Sequence, residues 1–154
     1  IAIPIDSVMK TTRIKPDGAG DTAMAGGIEF TLENGRLHMV WRGDLGMDDL
    51  LTLMKTVQEY EAAHPGGLDR LHDLREAGDL NVDFNGVMHI AHNRRDYMEQ
   101  IADGFRIAFV VIEPMHYGMF RMYQQIMANT DADVQIFDTM DAATAWLDSP
   151  RDAG

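Results

Sequence analysis

The chain has 154 residues, 45% of them hydrophobic and 25% charged, with a formal net charge of −12 and no cysteine. That length buries about 70% of the unfolded surface, enough to hold one domain without a metal or a disulfide. The acidity argues against binding nucleic acid or anionic lipid headgroups, and the absence of thiols excludes disulfides, thiolate nucleophiles and cysteine-ligated zinc.

Residues 1–27 read as a largely irregular N-terminal arm. Lys15-Pro16-Asp17-Gly18 is turn chemistry and Met24-Ala25-Gly26-Gly27 is small and flexible. A short strand near Val8 to Ile14 fits this arm. Covering a sheet edge, covering a partner subunit and simple mobility all remain open for it. Ile1 to Asp6 lacks the basic region and apolar run of a signal peptide, and no window reaches the ~18 apolar residues of a membrane span. A cytoplasmic location is therefore expected.

Regular structure is expected from Ile28. Ile28, Phe30 and Leu32 alternate with polar residues, Asn34-Gly35 follows, and Leu37, Met39 and Trp41 alternate in turn. Two alternating runs around Asn-Gly predict a hairpin with a type I′ turn. Gly43 to Gly46 is expected to end it. Asp48 and Asp49 suit a first helical turn. Met47, Leu50, Leu51, Met54 and Val57, with Ala62, then make a helical stripe that His64-Pro65-Gly66-Gly67 stops.

Leu68 to Leu74 reads as a strand and Arg75 to Asp83 as a polar loop. A second helix is expected over about Phe84 to Ala102, with Phe84, Val87, Met88, Ala91, Met98 and Ile101 inward. Phe105 to Ile112 is apolar throughout, as in a central parallel strand. Pro114 can open a third helix carrying Met115, Met119, Met122, Ile126 and Met127. A last strand at Val134 to Phe137 and a last helix at Asp141 to Leu147, with Trp146 inward, complete an α/β order. Crossovers between such strands lay helices on the sheet.

Several phrases resemble the SpoIIAA-like (STAS-like) proteins, a bacterial family of uncharacterised function. They are the hairpin ending at Gly43, Leu71-His72-Asp73-Leu74, Tyr117-Gly118-Met119-Phe120-Arg121-Met122-Tyr123, and the close from Phe137 through Trp146-Leu147. The resemblance covers residues 28–148 and leaves 149–154 as a tail. It implies a mixed sheet of about five strands with four helices. STAS anti-sigma-factor antagonists carry a phosphorylated serine at the start of the second helix. Here Asn81 to Gly86 stands in that place, and no Ser or Thr occurs from Arg75 through Ala102. The usual phosphoserine switch has no acceptor, and Asp83 is free to cap the helix.

Glu113, His116, Tyr117 and Arg121 gather where an apolar strand meets a helix N-terminus, the expected position of a ligand in an open α/β sheet. They are the candidate ligand-binding residues, with capping and a surface ion pair as the plainer alternative. His89, His92 and Asp96 share a helical side but read as a solvated face, so no metal and no cofactor is expected. Methionines on the first and third helices either pack the core or line an adaptable apolar pocket, as the similarity of STAS domains to CRAL-TRIO lipid carriers suggests. Ser7 and Ser149 lie in no nucleophile turn, and no phosphate-binding glycine loop occurs. The expected role is a non-catalytic binding or regulatory module for a protein partner or a lipid-like amphipathic ligand. A small-molecule enzyme built on His116 is the alternative, and a homo-oligomer through the arm is a third reading.

Overall fold

The computed structural model describes residues 12–14, 22–65, 67–98 and 105–151. Strands β3 (Ile28–Glu33) and β4 (Arg36–Gly46) form the expected hairpin. Asn34 and Gly35 between them hold φ of 54° and 72°, the left-handed pair that a type I′ turn needs. On this hairpin Ile28, Phe30, Leu37, Met39 and Trp41 are buried, so alternation chose the face correctly.

Helix α1 (Met47–Ala63), β5 (Asp69–Asn81), α2 (Phe84–Met98), β6 (Arg106–Val110), α3 (Pro114–Met127), β7 (Asp133–Phe137) and α4 (Met140–Asp148) follow in turn. Pro114 opens α3, and Thr139 caps α4 by accepting from the Ala142 N–H at 3.1 Å. Asp83 accepts from the Gly86 N–H at 2.8 Å at the start of α2, the capping role open to it.

The strands from β4 to β7 are parallel, and their order across the sheet is their order in the chain. Three right-handed crossovers stepping the same way put α1, α2 and α3 on one face. That face holds the main core, with Leu50, Leu53, Val57, Met98, Phe120 and Met127 against Trp41, Leu74, Ile107 and Phe109. Helix α4 covers the other face, where Ala143 and Leu147 meet Leu71, Ala108 and Val110. Every residue of β6 is buried because both faces are covered.

Among the described residues the sheet has seven strands, not about five. The two extra strands are β1 (Thr12–Ile14) and β2 (Thr22–Ala25), which extend the hairpin antiparallel at its free edge. β1 falls within the short strand expected near Val8 to Ile14, whereas β2 belongs to the stretch expected to be irregular. They are short, and Thr-Ala-Met-Ala lacks an apolar alternation strong enough to announce a strand. The rest of the arm before Thr22, including Val8 to Thr11, lies outside the described residues.

A second correction concerns β4 and β5. Neither ends where turn residues suggested. Gly43 to Gly46 stays paired to Ala77 to Asn81, with register shifts after Val40 and after Gly43. Gly43 takes a positive φ of 70° at the second shift, which is bulge geometry. The polar run from Arg75 pairs only with β4, since β6 reaches no further than Val110 opposite Asp73. Arg42 bridges Glu29 and Glu76, and Asp44 accepts from the Asp79 N–H at 2.8 Å, so polar contacts hold this extension.

The inner faces also shift. On α1, Leu53 and Tyr60 are buried while Ala62 is exposed. On α2, Phe84 is 63% exposed, and on α3, Met115 is 86% exposed. Both stand in the first turn of their helix. Ile101 lies outside the described residues. The tail is anchored: Arg106 donates to the carbonyls of Trp146, Ser149 and Pro150, and Arg151 pairs with Asp69.

Candidate functional site

Alternation along β5 sends Arg70, His72 and Leu74 to the face under α1–α3, and Leu71 and Asp73 to the face under α4. The first two of these thus reach a cavity of ≈ 90 Å³ roofed by the three helices. Its walls are almost wholly apolar. Trp41, Phe109 and Phe120 supply the aromatic surface, Phe120 packing edge-on to Trp41 at 5.7 Å and tilted on Phe109 at 4.4 Å. Met54 of α1 and Met119 of α3 line it, so methionines from both expected helices take part.

Two charged side chains, Arg70 and Arg94, line one end of it, and both pair with Glu61, which is not itself a lining residue. Arg94 of α2 grips Glu61 of α1 with both nitrogens of its fork, at 3.1 and 2.6 Å. Arg70 donates to the same carboxylate from below. All three residues are at most 5% exposed. Arg70 also lies over the Phe105 ring at 4.4 Å, and Arg94 over Tyr97 at 5.4 Å. Burial, and then the Arg94 charge, pulls the Arg70 guanidinium well below the usual arginine range. Burial lowers Arg94 as well. Two cations share one anion, and the Arg70 Nε finds no partner.

His72 stands beside them. Its Nδ1 accepts from the Trp41 indole N–H at 3.2 Å, which places the ring proton on Nε2. It stacks on Phe109 at 4.5 Å. Burial, then the Arg70 and Arg94 charges, holds it well below the ordinary imidazole pKa, so the ring is neutral.

The four residues expected to bind a ligand lie from the N-cap to the middle of α3 and differ in their surroundings. His116 is only 5% exposed, and its Nε2 lies 2.8 Å from the Gly78 carbonyl oxygen, tying α3 to the β5 extension. Its Nδ1 is buried without a partner. Glu113 is exposed at the N-cap of α3, where its backbone oxygen accepts from Tyr117, while its side chain caps nothing. The Tyr117 ring is half exposed. Arg121 faces a separate open groove of mixed lining with Gln124 and Asp131. On the outer side of α2, His89 pairs with Asn93 at 3.1 Å. Among the described residues no three His, Asp or Glu side chains are grouped to hold a metal ion.

Sequence reasoning missed Arg70, His72 and Arg94 as cavity residues. One signal was present. Glu61 falls on the stripe of Leu50, Leu53, Val57 and Tyr60, and Arg94 on that of Val87, Ala91 and Met98. A charge on an apolar stripe needs a buried partner.

No protein-family model and no curated protein matches the chain. Among solved structures it is similar to an uncharacterised protein of the DUF3478 family with a SpoIIAA-like fold from Shewanella loihica. The two share 17% identity and a TM-score of 0.53, over 79% of this chain and 94% of that one. The likeness shows that this chain has a SpoIIAA-like fold. No helix among the described residues is long and apolar enough to cross a membrane.

Proposed function

We propose that this SpoIIAA-like domain is a non-catalytic binding module that holds a small amphipathic ligand in the cavity under α1, α2 and α3. The single observation that carries this reading is the cavity itself: apolar walls under three helices, with two arginines converging at one end. Sites of that make-up bury most of a small ligand and orient it by a few polar contacts. One further fact supports binding over turnover: His72 is neutral and already committed to Trp41.

The test uses octan-1-ol as an uncharged probe. It raises the melting temperature of the native chain, because a ligand that binds only the folded state stabilises it by mass action. Met119→Trp fills the cavity from a half-buried position and abolishes the shift. A native chain indifferent to octan-1-ol at millimolar concentration would overturn the reading.

A further inference from the structure

The buried cluster at the polar end of the cavity is unbalanced. Among the described residues, Glu61 is the only carboxylate that pairs with Arg70 or Arg94. Its two oxygens already accept three hydrogen bonds, so they cannot neutralise a second guanidinium. A buried charge is normally paired. The carboxyl ends of α1 and α2 lie at this end of the sheet and lend partial negative charge, which lets the excess cation persist. They do not supply an acceptor for the Arg70 Nε, which is buried and without a partner.

The topology orients the cavity. Each helix runs back against its strands, so Glu61 at the end of α1 and Arg94 near the end of α2 meet Arg70 at the amino end of β5. Trp41 and Leu50 lie toward the opposite, carboxyl end of the strands, where α1 begins. The result is a gradient, cationic at one end and aromatic and aliphatic at the other.

We propose that the occupant is an amphipathic monoanion, a small carboxylic acid whose head pairs with Arg70 and Arg94 and whose apolar body lies against Trp41, Phe109 and Phe120. This rests on the ligand-binding reading above and gives it a chemical class. A guanidinium pair recognises a carboxylate through charge-assisted, often forked hydrogen bonds. The incoming charge brings the cluster from one excess cation to balance. The lowering of both guanidiniums by burial points the same way.

The experiment is calorimetric titration of the full chain at pH 7.5 with three probes of one tail length: octanoate, octan-1-ol and octylammonium. Octanoate is expected to bind about tenfold or more tighter than octan-1-ol, the size of a charge-assisted hydrogen bond to a buried cation. Octylammonium is expected to bind weakest. Arg94→Met leaves Arg70 and Glu61 as a neutral pair and should erase the preference while octan-1-ol still binds. Octanoate binding no tighter than octan-1-ol in the native chain overturns the anion assignment and leaves the cavity reading intact. Failure of all three probes overturns both. A preference that survives in a folded Arg94→Met chain also overturns the assignment. If that variant does not fold, the native chain decides the matter through the octanoate and octan-1-ol pair.

Discussion

Arg94 holds both carboxylate oxygens of Glu61 across 33 residues of sequence, joining α1 to α2 inside the protein rather than on its surface. The pair is asymmetric in consequence, because Arg70 shares the same carboxylate. Removing Glu61 strands two guanidiniums side by side, whereas removing Arg94 leaves a balanced pair. Glu61→Leu should therefore cost about 3–5 kcal/mol, the usual penalty for an uncompensated buried charge, and Arg94→Met clearly less. Urea unfolding followed by circular dichroism measures both. An Arg94→Met loss equal to or larger than that of Glu61→Leu would refute the charge-balance account.

His72 should make stability depend on pH. Its folded pKa is lowered, by burial first and then by Arg70 and Arg94, with His38 adding to the same effect. The unfolded chain therefore takes up a proton that the folded chain refuses. Stability is full above about pH 6.5 and falls as pH drops below it, by up to about 1.4 kcal/mol per pH unit from this group. His38, lowered by burial, contributes in the same direction. Asp73 acts in a different window. Burial opposes its charge, but the Arg75 hydrogen bonds outweigh burial and hold it below the usual carboxylate value. Its contribution is lost only below about pH 4. The His72→Gln chain should show a flatter urea midpoint between about pH 5 and 6.5, and an unchanged slope would count against the assignment.

Gly78 has no room for a side chain. A Cβ there would lie 2.3 Å from Asp44 Oδ1 and 3.3 Å from the Gly43 carbonyl carbon. Gly78→Ala should destabilise by about 1–3 kcal/mol, as overpacking does. It also displaces the carbonyl that faces His116. His116→Ala and Gly78→Ala should consequently cost less together than the sum of their separate losses. Strict additivity in thermal melts would show that the two contacts are independent.

Arg106 clamps the end of the chain through three backbone carbonyls and the Ser149 hydroxyl, with its guanidinium 5.2 Å from the centre of the Trp146 ring. Arg106→Met should cost about 2–3 kcal/mol, since these are hydrogen bonds from a charged donor. The loosened α4 should become a cleavage site in limited proteolysis. A native digestion pattern would mean that Ala143 and Leu147 suffice to hold the helix.

The parts of the fold that were legible share one property: their apolar residues repeat at the period of the element. Asn34-Gly35 and the alternation around it specified the hairpin down to its turn, and the continuous run at β6 specified a doubly covered strand. The extension of β5 past Leu74 was not legible, because it pairs on one side only and is held by Arg42, Asp44 and Glu76 rather than by buried hydrocarbon. The charged cluster was hidden for the opposite reason. Glu61, Arg70 and Arg94 are types that normally face water, and only their meeting in space makes them a unit. His116 was singled out from sequence as a polar residue near a strand end, yet the fold turns it inward to Gly78.

The agreement between strand order and chain order also bears on how the molecule forms. Among the described residues every strand pairs with the strand before or after it in the chain, so none of these pairings waits for a distant segment to arrive. The longest loop to be closed between adjacent strands is one helix with its connections. Loop-closure entropy is then spread over several small steps, and a sheet of this size should fold faster than a sandwich or Greek key of equal length. The β4–α1–β5 unit, which carries Trp41, Glu61, Arg70 and His72 in one continuous stretch, can assemble about half of the cavity lining before the later elements complete it.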